Sequence, residues 1–288
     1  MSTLADPPVE VADGYRAGRT LPFRVELVRQ LKRRRTMVMG GVLFALPIIL
    51  LIAFQVGGDP GGGNNRVNLM DTATASGANF AAVNLFSAAG FLLVIPVALF
   101  CGDTVASEAG WSSLRYLLAA PVPRARLLWS KLAVGLSLSL AALVLLPVVA
   151  LIVGTAAYGW GPLQLPTGGT LPTGTAAQRL LVVTVYIMVS QLVTAALAFW
   201  LSTRTDAPLG AVGGAVFLTI IGSVLDEVTA LGDWRHFLPA HWQYAWLDAV
   251  RPQLEWSDMI QGTSISVTYA LVLFALAFRG FARKDIVS

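Results

Sequence analysis

Charge is scarce in this chain. Only 12% of its 288 residues are Asp, Glu, Lys or Arg, whereas 56% are hydrophobic. Soluble domains carry about 25% charged residues, so the composition is that of an integral membrane protein. A net charge of +4 is then no sign of nucleic-acid binding, because in a membrane protein the distribution of basic residues carries the information. Cysteine is almost missing. Cys101 stands alone, which excludes an intramolecular disulfide and argues against a cysteine-based metal cluster. The two histidines, His236 and His241, lie five residues apart without a ligand partner close in sequence, so no metal site is expected. Neither G-x-x-x-x-G-K-[ST], G-x-S-x-G nor H-E-x-x-H occurs. The chain is therefore not expected to be an enzyme or to hold a nucleotide or other cofactor itself. No short apolar run with a cleavage site precedes residue 37, so no removable signal peptide is expected.

The apolar runs lack charge altogether. Six of them, at about 37–56, 80–101, 132–157, 180–201, 208–225 and 263–278, contain no Asp, Glu, Lys or Arg. About 20 helical residues cross a hydrocarbon core of roughly 30 Å. A mid-span charge costs about 2.5–3.5 kcal/mol on insertion scales, which accounts for runs this clean. The expected fold is all-α, a six-span transmembrane domain over 37–280. Proton-driven transport needs ionisable groups at depth, and only neutral groups such as Gln55, Asn84 and Gln191 are there. Pro47, Pro96 and Pro147 fall inside the first three runs, where each removes a backbone donor and favours a kink. Gly210 and Gly214 have the G-x-x-x-G spacing that permits close helix packing.

Placing the N-terminus in the cytoplasm puts 16 of the 20 basic residues inside and leaves Arg66, Arg179, Arg235 and Arg251 outside. Both termini are accordingly expected to be cytoplasmic. Residues 1–20 are rich in proline, glycine and mixed charge and read as a flexible tail, and 281–288 as a short C-terminal one. Over 21–36, Phe23, Leu27 and Leu31 recur every four residues amid Arg33, Arg34, Arg35 and other basic side chains. This pattern predicts an amphipathic helix lying on the inner membrane surface and touching lipid. The outer connector 226–262 holds Trp234, Trp242, Trp246 and Trp256, which suits one or two short helices at or dipping into the outer surface.

The longest charged interruption on the basic side is 102–131. Trp111, Leu114 and Leu118 fall at i, i+3 and i+7, with Glu108, Ser112 and Arg115 on another face. The spacing predicts an amphipathic helix from Glu108 to Ala119, ended by Pro121 and Pro123. Such a helix, held between two spans, offers an apolar anchor for a groove in a soluble partner.

Glu108, Gly110, Ser113-Leu114-Arg115, Leu117-Leu118, Pro121-Val122, Arg124 and Lys131, placed after the second span, resemble the motif of ATP-binding-cassette type-2 permeases. Leu238–Trp242, before the final span, is also similar to sequences in that family. The resemblance covers about residues 21–288, with Trp111 where threonine is common and Pro123 where a small polar residue is common. It implies a plasma-membrane permease subunit that pairs with a second permease subunit, alike or different, and with cytoplasmic ATPase subunits binding ATP and Mg. The importer-type loop E-A-A-x-x-x-G is not found, which points to an exporter, and three lysines against 17 arginines with abundant Gly and Ala suggest a bacterial source. In that scheme Trp111, Leu114, Leu117 and Leu118 anchor the partner, Glu108 and Arg115 orient it, and Arg124 completes the motif. Two other readings of the same loop are a membrane scaffold or sensor that recruits a cytosolic protein, and a channel that conducts without ATP.

Overall fold

A computed structural model describes residues 23–57, 72–110, 123–166 and 168–283. It opens with a short helix, α1 (Phe23–Leu31), and a turn into α2 (Arg34–Val56). Then come α3 (Gly77–Ala89), α4 (Val94–Gly110) and the long α5 (Arg124–Tyr158). The two-residue strands β1 (Leu163–Gln164) and β2 (Thr170–Leu171) form an antiparallel hairpin. After it run α6 (Thr173–Ser190), α7 (Leu192–Arg204), α8 (Pro208–Asp226) and α9 (Ser257–Ala282). Five helical units are long and apolar enough to cross a membrane, counting α6 and α7 as one. The bent pair α3–α4 makes a sixth, so the fold is all-α with five or six candidate spans.

The second apolar run is therefore two helices meeting at 53°. Pro96, the third residue of α4, explains the restart. It has no N–H to offer the Leu92 carbonyl, and its ring crowds that oxygen. Pro47 and Pro147 lie within α2 and α5, which continue past them as helices.

α4 is the hub and packs on α5, α7 and α8, while α3 crosses α5. Small residues set these distances. A Cβ on Gly77 would come within 2.6 Å of Thr155 Oγ1, and one on Gly154 within 2.8 Å of Phe80 Cβ. Only hydrogen fits where those backbones meet. On α8 the buried positions are Ala211 and Ala215, and α4 presents Gly102 to Val212. Gly210, expected at a packing seam, is exposed, and a Cβ there would meet only its own N-terminal turn, at 3.6 Å or more. A Cβ on Gly214 would lie 3.2 Å from the Leu201 side chain, so this second glycine does let α7 approach closely. Close packing on this helix therefore involves Ala211, Gly214 and Ala215, and leaves out Gly210.

The remaining surface is strongly apolar. Ile49 and Ile52 on α2, Phe217 on α8, and Leu271 and Val272 on α9 are all more than half exposed. Water does not tolerate a continuous belt of this kind, whereas hydrocarbon covers it without penalty.

At the end opposite the basic helix termini, Ser76 caps α3 and its neighbour Asn79 ties that cap to the hairpin. The Asn79 amide donates to the Gln164 carbonyl at 2.8 Å, and its oxygen accepts from the Gln164 N–H at 2.9 Å. Three 3-10 segments, Thr229–Phe237, Pro239–Trp242 and Ala245–Val250, fill the last connector. The first exposes Trp234 and Phe237, while the other two bury Trp242 and Trp246. Tyr186 of α6 donates to the Trp242 carbonyl at 2.6 Å, and Gly262 of α9 leaves room for both rings.

Candidate functional site

Three acids and four bases meet at the basic end of the bundle. Asp103 and Glu108 project from the last two turns of α4, Lys131 from near the start of α5, Glu26 and Arg29 from α1, Arg33 from the turn into α2, and Arg35 from the first turn of α2. Lys131 Nζ lies 2.7 Å from Glu26 Oε1 and also pairs with Glu108. Arg29 joins the same two carboxylates, at 3.2 Å for Glu26. Gln30 donates to Glu26 at 3.1 Å. Asp103 is held by Arg33 and Arg35 together, with Ser107 Oγ 3.4 Å from Arg33. Lys131 and Glu108 are each 2% exposed.

Taking such charges out of water costs several kcal/mol per ion, recovered only when every group is paired and hydrogen-bonded. Here the pairing is mutual across three helices. Burial opposes ionisation of Glu26, but the Lys131 charge, hydrogen bonds from Lys131 and Gln30, and Arg29 outweigh it, so the carboxyl sits below the usual glutamate range. Burial likewise opposes the Arg29 charge, and Glu108 and Glu26 more than compensate. For Arg33 burial prevails, with Asp103 opposing and Arg35 and Arg29 adding to it, leaving its pKa below that of a free arginine.

The junction frames the connector expected to carry the amphipathic helix. Glu108 belongs to α4, which runs unbroken from Val94, so the expected helix start at Glu108 is the end of an earlier one. Asp103, Glu108 and Lys131 are helix-end residues rather than members of a solvated loop. Trp111, Leu114, Arg115, Leu117 and Leu118 lie outside the described residues. Immediately before them, Gly110 abuts the 205–207 connector, where a Cβ would lie 2.7 Å from the Asp206 carbonyl oxygen. Shortly after them, the exposed Arg124 donates to the Ala282 carbonyl of α9 at 3.3 Å. Ser202 of α7 accepts from the Val105 and Ala106 N–H groups, fastening α7 to α4 at the same level.

α1 is inside-out. It buries Glu26 and Gln30 and exposes Phe23, Val25, Val28 and Leu31, with Leu27 partly packed against the core. Of the basic run, Arg33 and Arg35 turn into the junction while Arg34 stays exposed. Lys131 closes the motif read from the sequence, whereas Glu26 and Asp103 belong to no motif there. The available signal was that Glu26 is the one acid in a basic stretch, and that Asp103 and Glu108 closely follow a charge-free run.

A second feature lies nearer the middle of the bundle. A cavity of about 340 Å³ opens between α7, α8, α9 and the Pro239–Trp242 segment, walled by Val94, Leu197 and Leu273, with Gln191, Thr194 and Thr219 as polar points. Among the described residues no charged side chain lines it. Gln191 is buried at the junction of α6 and α7 and donates to the Ala89 carbonyl at 3.4 Å. The cavity's size is at the small end of the roughly 300–1,000 Å³ typical of ligand pockets.

A family model described as "Protein of unknown function (DUF2705)" matches residues 64–287. No curated protein matches the chain.

Proposed function

The chain belongs to the DUF2705 family, and we propose that it is the membrane-spanning subunit of an exporter driven by a separate cytoplasmic ATPase. The observation that carries this reading is the buried junction around Lys131. It clamps the two helices that bracket residues 111–122, through Glu108 on one side and Lys131 on the other, and locks α1 onto both. A push on that connector moves α4 and α5 together as one body, and with them α7, α8 and α9, whose ends meet Gly110 and Arg124. A rigid lever of this kind is what alternating access requires of a coupling loop. In this reading Trp111, Leu114, Leu117 and Leu118 enter a groove of the ATPase, Glu108 orients the helix from its buried end, and Arg115 and Arg124 add charge. ATP and Mg bind the ATPase, and a second permease subunit completes the pathway.

The basic end, with both termini, faces the cytoplasm of a bacterium in this reading, and the inside-out α1 rests on lipid. The uncharged cavity suits an amphipathic, largely apolar cargo. The test is co-expression with an ATP-binding-cassette ATPase encoded beside this chain. Co-purification and stimulated ATP hydrolysis are expected, and both should fall on Leu114→Glu or Leu118→Glu. Unchanged assembly and hydrolysis in both variants would overturn the coupling role and favour a scaffold that uses another surface.

A further inference from the structure

Three arginines at the ends of two helices line a cavity of about 510 Å³. Arg204 comes from the end of α7, Arg279 and Arg283 from the end of α9, with Thr203, Leu276 and Gly280 completing the wall. Among the described residues none of the three is paired with a carboxylate. This contrasts with the Lys131 junction, where every base has an acid. Like charges around one cavity repel, and an anion placed among them relieves that repulsion. Arg204 is also positioned. Its guanidinium carbon lies 5.8 Å from the centre of the Trp200 ring, and Gly280 allows it to lie against α9, where a Cβ would come within 3.1 Å of Nη2.

We infer that this cavity binds the phosphate of an anionic phospholipid, with an acyl chain along α9. Guanidinium groups match phosphate oxygens in bidentate fashion, and basic pockets between spans at headgroup level have the chemistry for such lipids. The lipid source, rather than a soluble phosphate, follows from what adjoins the arginines. Val272, Leu276, Arg279 and Arg283 fall at i, i+4, i+7 and i+11 on one face of α9, and all four are exposed. From Val272 to Arg283 is about 16 Å of helix, close to half of a hydrocarbon core of roughly 30 Å. One face thus offers a phosphate site at its polar end and an apolar track about one leaflet deep. The inference concerns binding only and needs neither an ATPase nor transport.

The experiment uses the full chain, delipidated in a neutral detergent, with thermal unfolding followed as phosphatidylglycerol, phosphatidylcholine or glycerol phosphate is added. Phosphatidylglycerol should raise Tm in a saturable way, while the other two have little effect. In R204K/R279K/R283K the charge is kept, so folding and orientation are preserved, yet the apparent affinity should fall roughly tenfold or more, as for loss of charge-assisted hydrogen bonds. The single variant R279K, less disturbing still, should shift the same curve in the same direction. Equal stabilisation by phosphatidylcholine would overturn the proposal, as would unaltered affinity in both lysine variants. Saturable stabilisation by glycerol phosphate alone would replace the lipid with a soluble phosphate and overturn the acyl-chain part.

Discussion

Replacing Lys131 by methionine removes one charge at nearly constant volume and leaves Glu26 and Glu108 facing each other in a buried site. Glu26 is 4% exposed, and Glu108 and Lys131 are each 2% exposed, so solvent screening offers little relief. Removing one partner of a buried pair costs about 3–5 kcal/mol, most of it the uncompensated charge left behind. Arg29 still reaches both carboxylates, which places the expected loss toward the lower part of that range. By the scaling of soluble domains of about 150–250 residues, this corresponds to a Tm decrease on the order of 10 °C. The assay is thermal unfolding of the purified chain in one detergent, comparing the parent, K131M, E26Q/E108Q and the triple variant. Neutralising the acids should restore most of the stability lost in K131M, because the penalty comes from orphaned carboxylates and not from lost packing. A K131M chain as stable as the parent would refute the account of the junction. So would a triple variant no more stable than K131M, since the loss would then be one of shape.

Other outcomes follow from the same geometry. Because the Glu26 carboxyl is lowered by its folded partners, its contribution is complete above the unfolded pKa of about 4.3. That contribution disappears as the pH falls through the lower folded value. Tm measured from about pH 7 down to about pH 3 should drop more steeply in the parent than in E26Q. Gly154→Ala should cost about 1–3 kcal/mol by forcing α3 away from α5, whereas Gly210→Ala, with no close neighbour, should leave stability within about 1 kcal/mol of the parent. Tyr186→Phe leaves the Trp242 carbonyl without its donor and should cost about 1–3 kcal/mol, visible as increased tryptophan exposure to a water-soluble quencher.

Much of the architecture was legible from composition. Runs of about twenty apolar residues without charge can satisfy their backbone in lipid only as helices, so the all-α class and the approximate spans at α2, α5, α6–α7, α8 and α9 follow from the sequence. The break in the second run was half legible: Pro96 announced a disturbance, but its size, a 53° bend between two helices, appears only in the folded chain. Helical periodicity marked the stretch that becomes α1 as two-faced. It did not tell which face turns inward, because the partner of Glu26 is Lys131, more than a hundred residues away.

That separation is the general lesson of the charged junction. Charge placement along the chain determined which helix ends gather at the basic side, since the cost of burying unpaired ions keeps Lys and Arg out of the spans. Only the tertiary structure decided which of those ions neutralise one another and which do not. Glu26, Asp103 and Glu108 look like surface acids in sequence. They become a buried network because α1, α4 and α5 converge at one level. Arg204, Arg279 and Arg283 look like the same topogenic residues as Arg33 and Arg35, yet no acid reaches them among the described residues. Pairing is a property of distances in space, and residue order leaves those distances open until the helices pack.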